Sequence, residues 1–343
     1  MKFRNIILSA VMSVVMLGSC SSTQKTSETA VTSESTTTQS VVFDADSAYS
    51  FVKAQFDFGA RVPNTEAHRR CGDYLVAKLQ GYGANVIVQE PVLTAYDGTK
   101  LNARNIIGEF APDATRRLLL LAHWDCRPWS DEEELYENRF EPVMGANDGA
   151  SGVGVILEMV RQLSIRKSKG EFIPTVQVGF FECEDMGTPA HFTGSQRDHT
   201  WCLGSQYWAQ EYKHSTLNSQ LSTLNFHYGI MLDMVGDPSA TFPKEYFSMQ
   251  YAGGYVEQLW RTAQRLGYGR YFVQQATYYP ITDDHYYVST IAGVPCVDII
   301  DYKTNTETGF AEWWHTQHDD IQNINKQTLQ AVGETVLTTI CSK

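Results

Sequence analysis

The sequence has a deficit of positive charge and no cysteine pair at zinc-binding spacing. Its 343 residues contain 27 Lys or Arg against 39 Asp or Glu, a formal net charge of −12, with no dense basic cluster. This balance repels a phosphate backbone, so we expect no nucleic acid partner. No Cys-x-x-Cys motif occurs, which argues against a zinc site built on cysteine.

The remaining composition is typical of a globular protein with a sizeable core. Hydrophobic residues make up 43% of the chain and aromatic residues 12%, which excludes a protein that is disordered over its whole length. Six cysteines follow residue 20, but their irregular spacing assigns no pairing.

The N-terminus has the features of an export signal. Lys2 and Arg4 precede an apolar run from Ile6 to Leu17, about a dozen residues, which is short for a transmembrane helix. The run ends in Leu17-Gly18-Ser19-Cys20, which resembles the lipobox of bacterial lipoproteins. We therefore predict a lipoprotein signal peptide over residues 1–19. The alternative is an ordinary cleaved secretory signal.

The segment after the signal is predicted to tether the protein to a membrane. Cys20 would carry the lipid, and residues 21–40 contain 13 Ser or Thr with no apolar periodicity. Such a segment buries too little surface to offset the entropy lost on ordering. The sequence thus predicts a lipidated, disordered tether over residues 20–42, a single catalytic domain over residues 43–343, and a location in the bacterial cell envelope.

Strand and helix patterns alternate along the domain. Arg117 to Ala122 includes four consecutive leucines, which is typical of a central strand buried on both faces. Similar strands are predicted at 175–181, 228–232 and 294–300, with shorter ones at 85–89 and 105–109. Helical spacing occurs at 46–58, 66–80, 151–166, 205–213, 255–266 and 326–341. These elements predict an α/β three-layer sandwich with a mixed, mostly parallel central sheet flanked by helices.

Polar residues follow directly after several of the apolar strands. In open α/β sheets, ligands bind beyond the carboxyl ends of the strands. The candidates in this position are His123 and Asp125, Asp148, Glu184 and Asp185, Asp233, and His315. Singly, each has a structural explanation: Asp148 precedes a predicted helix and would serve equally as its cap. The ordered combination favours a functional site.

Imidazole and carboxylate ligands without cysteine suit a catalytic zinc with one open coordination position. A carboxylate beside the metal that does not bind it can move protons. Glu184 and Asp185 are adjacent and supply one group for each purpose.

These motifs together resemble the zinc aminopeptidase and glutaminyl cyclase superfamily. The resemblance runs from about residue 44 to the C-terminus and is strongest to the animal-type glutaminyl cyclases. The features nearer to the cyclases are Leu232-Asp-Met-Val-Gly-Asp-Pro, the doubled acid of Asp283-Asp284-His285 where peptidases usually have Ser-Asp-His, and Phe310 four residues before Trp314.

The resemblance implies one zinc per chain, held by Asp148, Asp185 and His315. Glu184 would be the general base and acid. The implied reaction converts an N-terminal glutamine to pyroglutamate and releases ammonia. The partners would be peptides and exported proteins with N-terminal glutamine.

The same resemblance assigns residues that contact the substrate. Asp283 would hydrogen-bond the reacting amide, and Asp233 would complete the network. The apolar pocket would be lined by Phe310, Trp314 and Ile281. The segment after Asp185 leaves the upper wall open between Phe192 and Trp201.

Two alternatives remain. In a two-zinc aminopeptidase, His123, Asp148 and Asp233 would hold a second metal. In a cyclase, His123 and Asp125 would instead be a hydrogen-bonding network behind the ligands.

The second alternative is a non-catalytic surface lipoprotein. Such a protein could use its aromatic pairs to bind carbohydrate, but it has no need of Glu184 beside Asp185.

Overall fold

A six-stranded sheet forms the centre of the protein. The computed structural model describes residues 42–110, 116–195, 197–218 and 225–342. The strands are β1 (Asn85–Gln89), β2 (Val92–Thr94), β3 (Lys100–Asn102), β4 (Asn105–Glu109), β5 (Arg116–His123), β6 (Val176–Phe181), β7 (Asn225–Asp233), β8 (Phe242–Lys244), β9 (Phe272–Ala276) and β10 (Cys296–Ile300). The helices are α1 (Ala45–Phe56), α2 (Glu66–Gly81), α3 (Ala150–Ser168), α4 (Leu203–Asn218), α5 (Tyr246–Arg265), α6 (Asp284–Thr290) and α7 (Lys326–Cys341).

The sheet is mixed and mostly parallel, as the sequence predicts. Its strand order is β1-β4-β6-β5-β7-β10. The strands β6, β5, β7 and β10 are parallel to one another, whereas β4 is antiparallel to both β1 and β6. The four parallel strands therefore end at the same edge.

Alternate side chains of β5 pack into different layers. Leu120 lies in the larger core with residues of α1, α2, α3, α5 and α7, whereas Leu119 and Leu121 pack with residues of α4 and α6. Because successive side chains on a strand point to opposite faces, both faces of the sheet are covered. This confirms the predicted sandwich and explains why β5 is apolar throughout.

Close backbone contacts fix the start of α3 under the sheet edge. Gly149 precedes the helix with a φ of +97°, and a Cβ there would lie 2.5 Å from the carbonyl oxygen of Asp125. A Cβ on Gly152 would lie 2.1 Å from the carbonyl oxygen of Leu232. Glycine is therefore required at both positions. The N-cap of α3 is Gly149 without a side-chain hydrogen bond, so Asp148 does not serve as its cap.

Four short strands and part of α5 were not predicted. The antiparallel pair β2 and β3 and the parallel pair β8 and β9 form two small sheets. Helix α5 begins nine residues before the predicted Tyr255, with a break at Ala252, whose φ is −136°. Gly253 and Gly254 follow this break, and their low helix propensity hid the first half of the helix.

The predicted signal peptide, Cys20 and nearly all of the tether lie outside the described residues. No helix within the described ranges is both long and apolar enough to cross a membrane. The six cysteines that the structure describes are free thiols.

Candidate active site

The predicted site residues meet at the carboxyl edge of the parallel strands. His123 and Asp233 are the last residues of β5 and β7. Glu184 and Asp185 follow the end of β6 by three and four residues, and Asp283 is the N-cap of α6. The topology thus brings together residues from distant parts of the chain, as expected for an open α/β sheet.

Asp148, Asp185 and His315, the predicted metal ligands, lie close together. His315 Nε2 lies 3.2 Å from Asp185 Oδ1 and 3.6 Å from Asp148 Oδ2. All three residues are buried. Two carboxylates and an imidazole are ligands that zinc accepts, and burying two acids side by side is unfavourable without a cation. The donor set therefore fits a zinc ion.

The imidazole of His123 also lies close to the carboxylate of Asp148. Its Nε2 lies 2.9 Å from Asp148 Oδ1 and 3.2 Å from Asp233 Oδ1. Donor atoms of His123, Asp148 and Asp185 all lie within 4.8 Å of one another. His123 therefore lies within reach of a cation held by Asp148 and Asp185, and within hydrogen-bonding distance of Asp148 and Asp233.

Asp125 holds the loop that carries Glu184 and Asp185. Its two carboxylate oxygens accept the backbone N–H groups of Glu184 and Asp185, each at 3.2 Å. Asp125 Oδ1 also lies 3.4 Å from His123 Nδ1. This is the arrangement expected of a residue that orients ligands without binding the metal itself.

The environment of Glu184 suits proton transfer. Burial, and after it the charge of Asp185, raises the pKa of Glu184 well above its ordinary value. Burial also raises the pKa of Asp283, and it raises that of Asp233 to about 8 against the effect of a hydrogen bond with His123. A cluster of carboxylates with raised pKa values in a cleft is typical of acid–base catalysis.

A cavity of about 630 Å³ opens over these carboxylates. The predicted pocket residues Phe310, Trp314 and Ile281 all line it. The rings of Phe310 and Trp314 lie 4.6 Å apart, and Trp314 stacks on His315 at 3.5 Å. One side of the site is therefore an apolar aromatic wall beside acidic groups.

Trp201 forms the wall that the sequence left open. It lines the cavity, and its ring lies parallel to that of His315 with 6.1 Å between centroids. Phe192, the other candidate, does not line the cavity and packs edge-on against Tyr96 at 4.9 Å.

Comparison with known proteins identifies the family. Residues 105–340 match the model of peptidase family M28. The chain belongs to peptidase family M28.

Solved structures similar to this M28 member include a glutaminyl cyclase and an exopeptidase. The Tannerella forsythia glutaminyl cyclase is 48% identical with a TM-score of 0.82, and the match covers 88% of this chain and 99% of that one. A Zn-dependent exopeptidase from Parabacteroides distasonis is also 48% identical, with a TM-score of 0.81 and the same coverage. A glutaminyl-peptide cyclotransferase from Bos taurus is 25% identical over 67% of this chain, and the match spans 63% of its length.

Two further residues, Asp131 and Arg127, lie behind His315 in this M28 protein and are marked by no sequence motif. His315 Nδ1 lies 3.4 Å from Asp131 Oδ1, and Arg127 forms a two-pronged ion pair with Asp131, with N–O distances of 2.7 and 2.6 Å. Arg127 also donates to the backbone carbonyl of Asp185 at 2.9 Å. Asp131 and Arg127 thereby link two predicted ligands from behind.

Two more residues that the sequence did not indicate, Asp319 and Arg61, hold the loop that carries Asp148. Asp319 accepts the backbone N–H groups of Asn147 at 2.7 Å and of Asp148 at 3.0 Å. The guanidinium of Arg61, fully buried, donates to the carbonyls of Met144 and Gly145 at 2.7 and 2.6 Å. No local motif marks these residues, because their partners are distant in sequence.

His199 and Tyr287 also line the cavity, and no sequence motif marks either of them as a site residue. His199 Nδ1 lies 3.3 Å from the Tyr287 hydroxyl. They add a polar contact to the lining of the cavity.

Proposed function

We propose that this protein is a glutaminyl-peptide cyclotransferase, which converts the N-terminal glutamine of peptides and proteins to pyroglutamate. The observation that carries the proposal is a side-chain oxygen of Asp283 without a hydrogen-bond partner in the described structure. Asp283 Oδ1 accepts the backbone N–H of Asp284, whereas its buried Oδ2 has no hydrogen-bond partner within the described structure. Because Asp283 lines the cavity, that oxygen is available to accept a hydrogen bond from the γ-amide NH₂ of glutamine.

The substrate side chain fits the apolar wall. Phe310, Trp314 and Ile281 would pack against the methylene groups of glutamine and exclude water. The reaction needs the α-amine near the γ-carbon, and orientation of this kind in intramolecular reactions is worth up to ~7–11 kcal/mol. A dry pocket also disfavours hydrolysis, which competes with ring closure.

Asp148, Asp185 and His315 would hold the zinc, which when bound supplies Lewis-acid polarisation of a carbonyl. The α-amine nitrogen bonds to the γ-carbon and the bond from that carbon to the amide nitrogen breaks. Glu184 takes a proton from the amine and gives it to the departing nitrogen, so ammonia leaves and no water is consumed.

A two-zinc aminopeptidase is the second candidate. It is favoured by the 2.9 and 3.2 Å distances from His123 Nε2 to Asp148 and Asp233, which place three donors together for another metal. An aminopeptidase would consume water and cleave the peptide bond. The count of zinc ions therefore separates the two functions.

The deciding experiment is to incubate residues 42–343 with a glutaminyl dipeptide and to follow the products by mass spectrometry, with zinc counted on the same sample. Loss of about 17 mass units with one zinc per chain supports the cyclase. Release of two amino acids with two zincs would show that the protein is an aminopeptidase.

We further propose that the protein is exported to the bacterial cell envelope and anchored there through a lipid on Cys20. The support is the basic start, the short apolar run and the lipobox-like residues before Cys20. Radioactive palmitate fed to expressing cells should label the wild type but not Cys20→Ser. Equal labelling of both would refute the anchor.

A further inference from the structure

A buried thiol contacts the carboxylate of Glu184. The Cys202 side chain is fully buried, and its Sγ–H donates to Glu184 Oε1 at 3.1 Å. Within the described part of the chain, this is the one hydrogen bond that the Glu184 side chain receives. We propose that Cys202 is a positioning residue, which holds Glu184 by this hydrogen bond while the carboxylate transfers protons.

The backbone fixes the thiol beside Glu184. Cys202 N–H donates to the carbonyl of Glu184, and Leu203 and Gly204 N–H donate to those of Cys183 and Glu182, each at 2.9 Å. These three bonds hold residues 202–204 against residues 182–184, next to the Glu184 side chain. A Cβ on Gly204 would lie 2.1 Å from the Glu182 carbonyl oxygen, so the segments are in close contact.

A thiol suits a carboxylate that gains and loses a proton. Donor atoms of Glu184, Cys202 and Asp283 lie within 4.8 Å of one another, so the thiol lies between two acids of the site. A thiol is a weak donor and a weak acceptor, so it can keep its contact with Glu184 while the carboxylate exchanges a proton. Burial raises the pKa of the Cys202 thiol well above its ordinary value, so it stays protonated.

The inference rests on the proposed function, in which Glu184 carries the proton in each turnover. The contact with Glu184 distinguishes Cys202 from the other buried cysteines. Cys71, also fully buried, lies in the hydrophobic core with Leu75 and Leu79. Replacing Cys71 by alanine therefore serves as a matched control for the loss of a buried sulfur.

The test compares Cys202→Ala, Cys202→Ser and Cys71→Ala by kcat and KM on a glutaminyl dipeptide, with zinc content measured in each. Cys202→Ala should lower kcat about tenfold, the loss expected for one neutral hydrogen bond, with KM and zinc content unchanged. Cys202→Ser keeps a donor and should recover most of the rate. Cys71→Ala should keep the wild-type kcat.

Two results would overturn the proposal: a wild-type kcat in Cys202→Ala, or a Cys202→Ser variant as slow as Cys202→Ala at full zinc content. A double-mutant cycle adds a third criterion. In a Glu184→Gln background, Cys202→Ala should cause no further loss, because the thiol acts through Glu184. A further tenfold loss of kcat in the Glu184→Gln background would contradict the proposal.

Infrared spectroscopy tests the contact without turnover. The S–H stretching band of Cys202, assigned by its absence from Cys202→Ser, should move to higher frequency in Glu184→Leu because the acceptor is removed. An unmoved band would overturn the proposal. If the wild type releases no ammonia from any glutaminyl peptide, the proposed function fails, while the infrared result still reports on the hydrogen bond.

Discussion

Replacing Asp131 by alanine should weaken both the fold and the metal site, because it leaves a buried cation without its partner. Arg127 and Asp131 pair at 2.6 Å with side chains 1% and 3% exposed. Removing one partner of such a pair costs about 3–5 kcal/mol. The exposed pair of Lys53 and Asp57 has the same four-residue spacing and a distance of 2.7 Å, with side chains 52% and 56% exposed. Asp57→Ala should cost only about 0.2–1 kcal/mol.

The assay is chemical denaturation of both variants and the wild type after removal of metal with EDTA, so that zinc binding does not contribute to the free energy of unfolding. Zinc affinity is then measured separately by competition with a chelator. Loss of a carboxylate that orients a ligand histidine typically weakens metal binding about 10–100-fold, and we expect this for Asp131→Ala but not for Asp57→Ala.

Equal free energies of unfolding for the two variants would refute the argument from burial. They would mean that Arg127 is satisfied by its remaining bonds to the carbonyls of Asp185 and Gly187. An unchanged zinc affinity in Asp131→Ala would show that the 3.4 Å contact with His315 does not orient that ring.

Three further outcomes are expected. Glu184→Gln should keep its zinc and lose about 10²–10⁴-fold in ammonia release, because only proton transfer is removed; a normal rate would contradict the assignment. Imidazole should inhibit by occupying the open metal position through a ring nitrogen, and a rate unaffected at millimolar concentration would argue against an accessible zinc. A hydrogen bond with His285, opposed by burial, lowers the pKa of Glu245 from 4.5 to about 2. Its ionised form therefore stabilises the fold above pH 4.5, and this stability is lost as the pH falls towards 2. Metal-free Glu245→Gln should consequently be less stable than the wild type by about 3 kcal/mol at pH 6 in urea denaturation, with a smaller difference at pH 3; a constant difference would contradict this.

The central sheet was predictable because its strands are buried on both faces. The runs that became β5, β6, β7 and β10 are almost wholly apolar, and a pattern of that kind depends on no distant partner. The strands β2 and β8 have three residues each, too few for an alternating pattern. Their pairing with β3 and β9 depends on tertiary contacts that a local pattern does not contain.

The site was predictable in its location and less so in its supporting contacts. His123 and Asp233 could be recognised because each is a polar residue that ends an apolar strand. Asp131, Asp319 and Cys202 lie in loops or before a helix, and their roles arise from contacts to residues up to 184 positions away. Among these, Asp319 accepts from Asp148 across 171 residues. Spacing within the sequence carries no signal for such pairs.

The dependence of Asp148 on Asp319 has a consequence for biosynthesis. Asp319 lies 171 residues after Asp148 in the sequence, and His315 lies in the same late segment as Asp319. A growing polypeptide that has already exposed Asp148, Glu184 and Asp185 still lacks one predicted ligand and the acceptor that orders the Asp148 loop. The predicted zinc site therefore cannot form until the segment that carries His315 and Asp319 has been synthesised, however early Glu184 and Asp185 emerge.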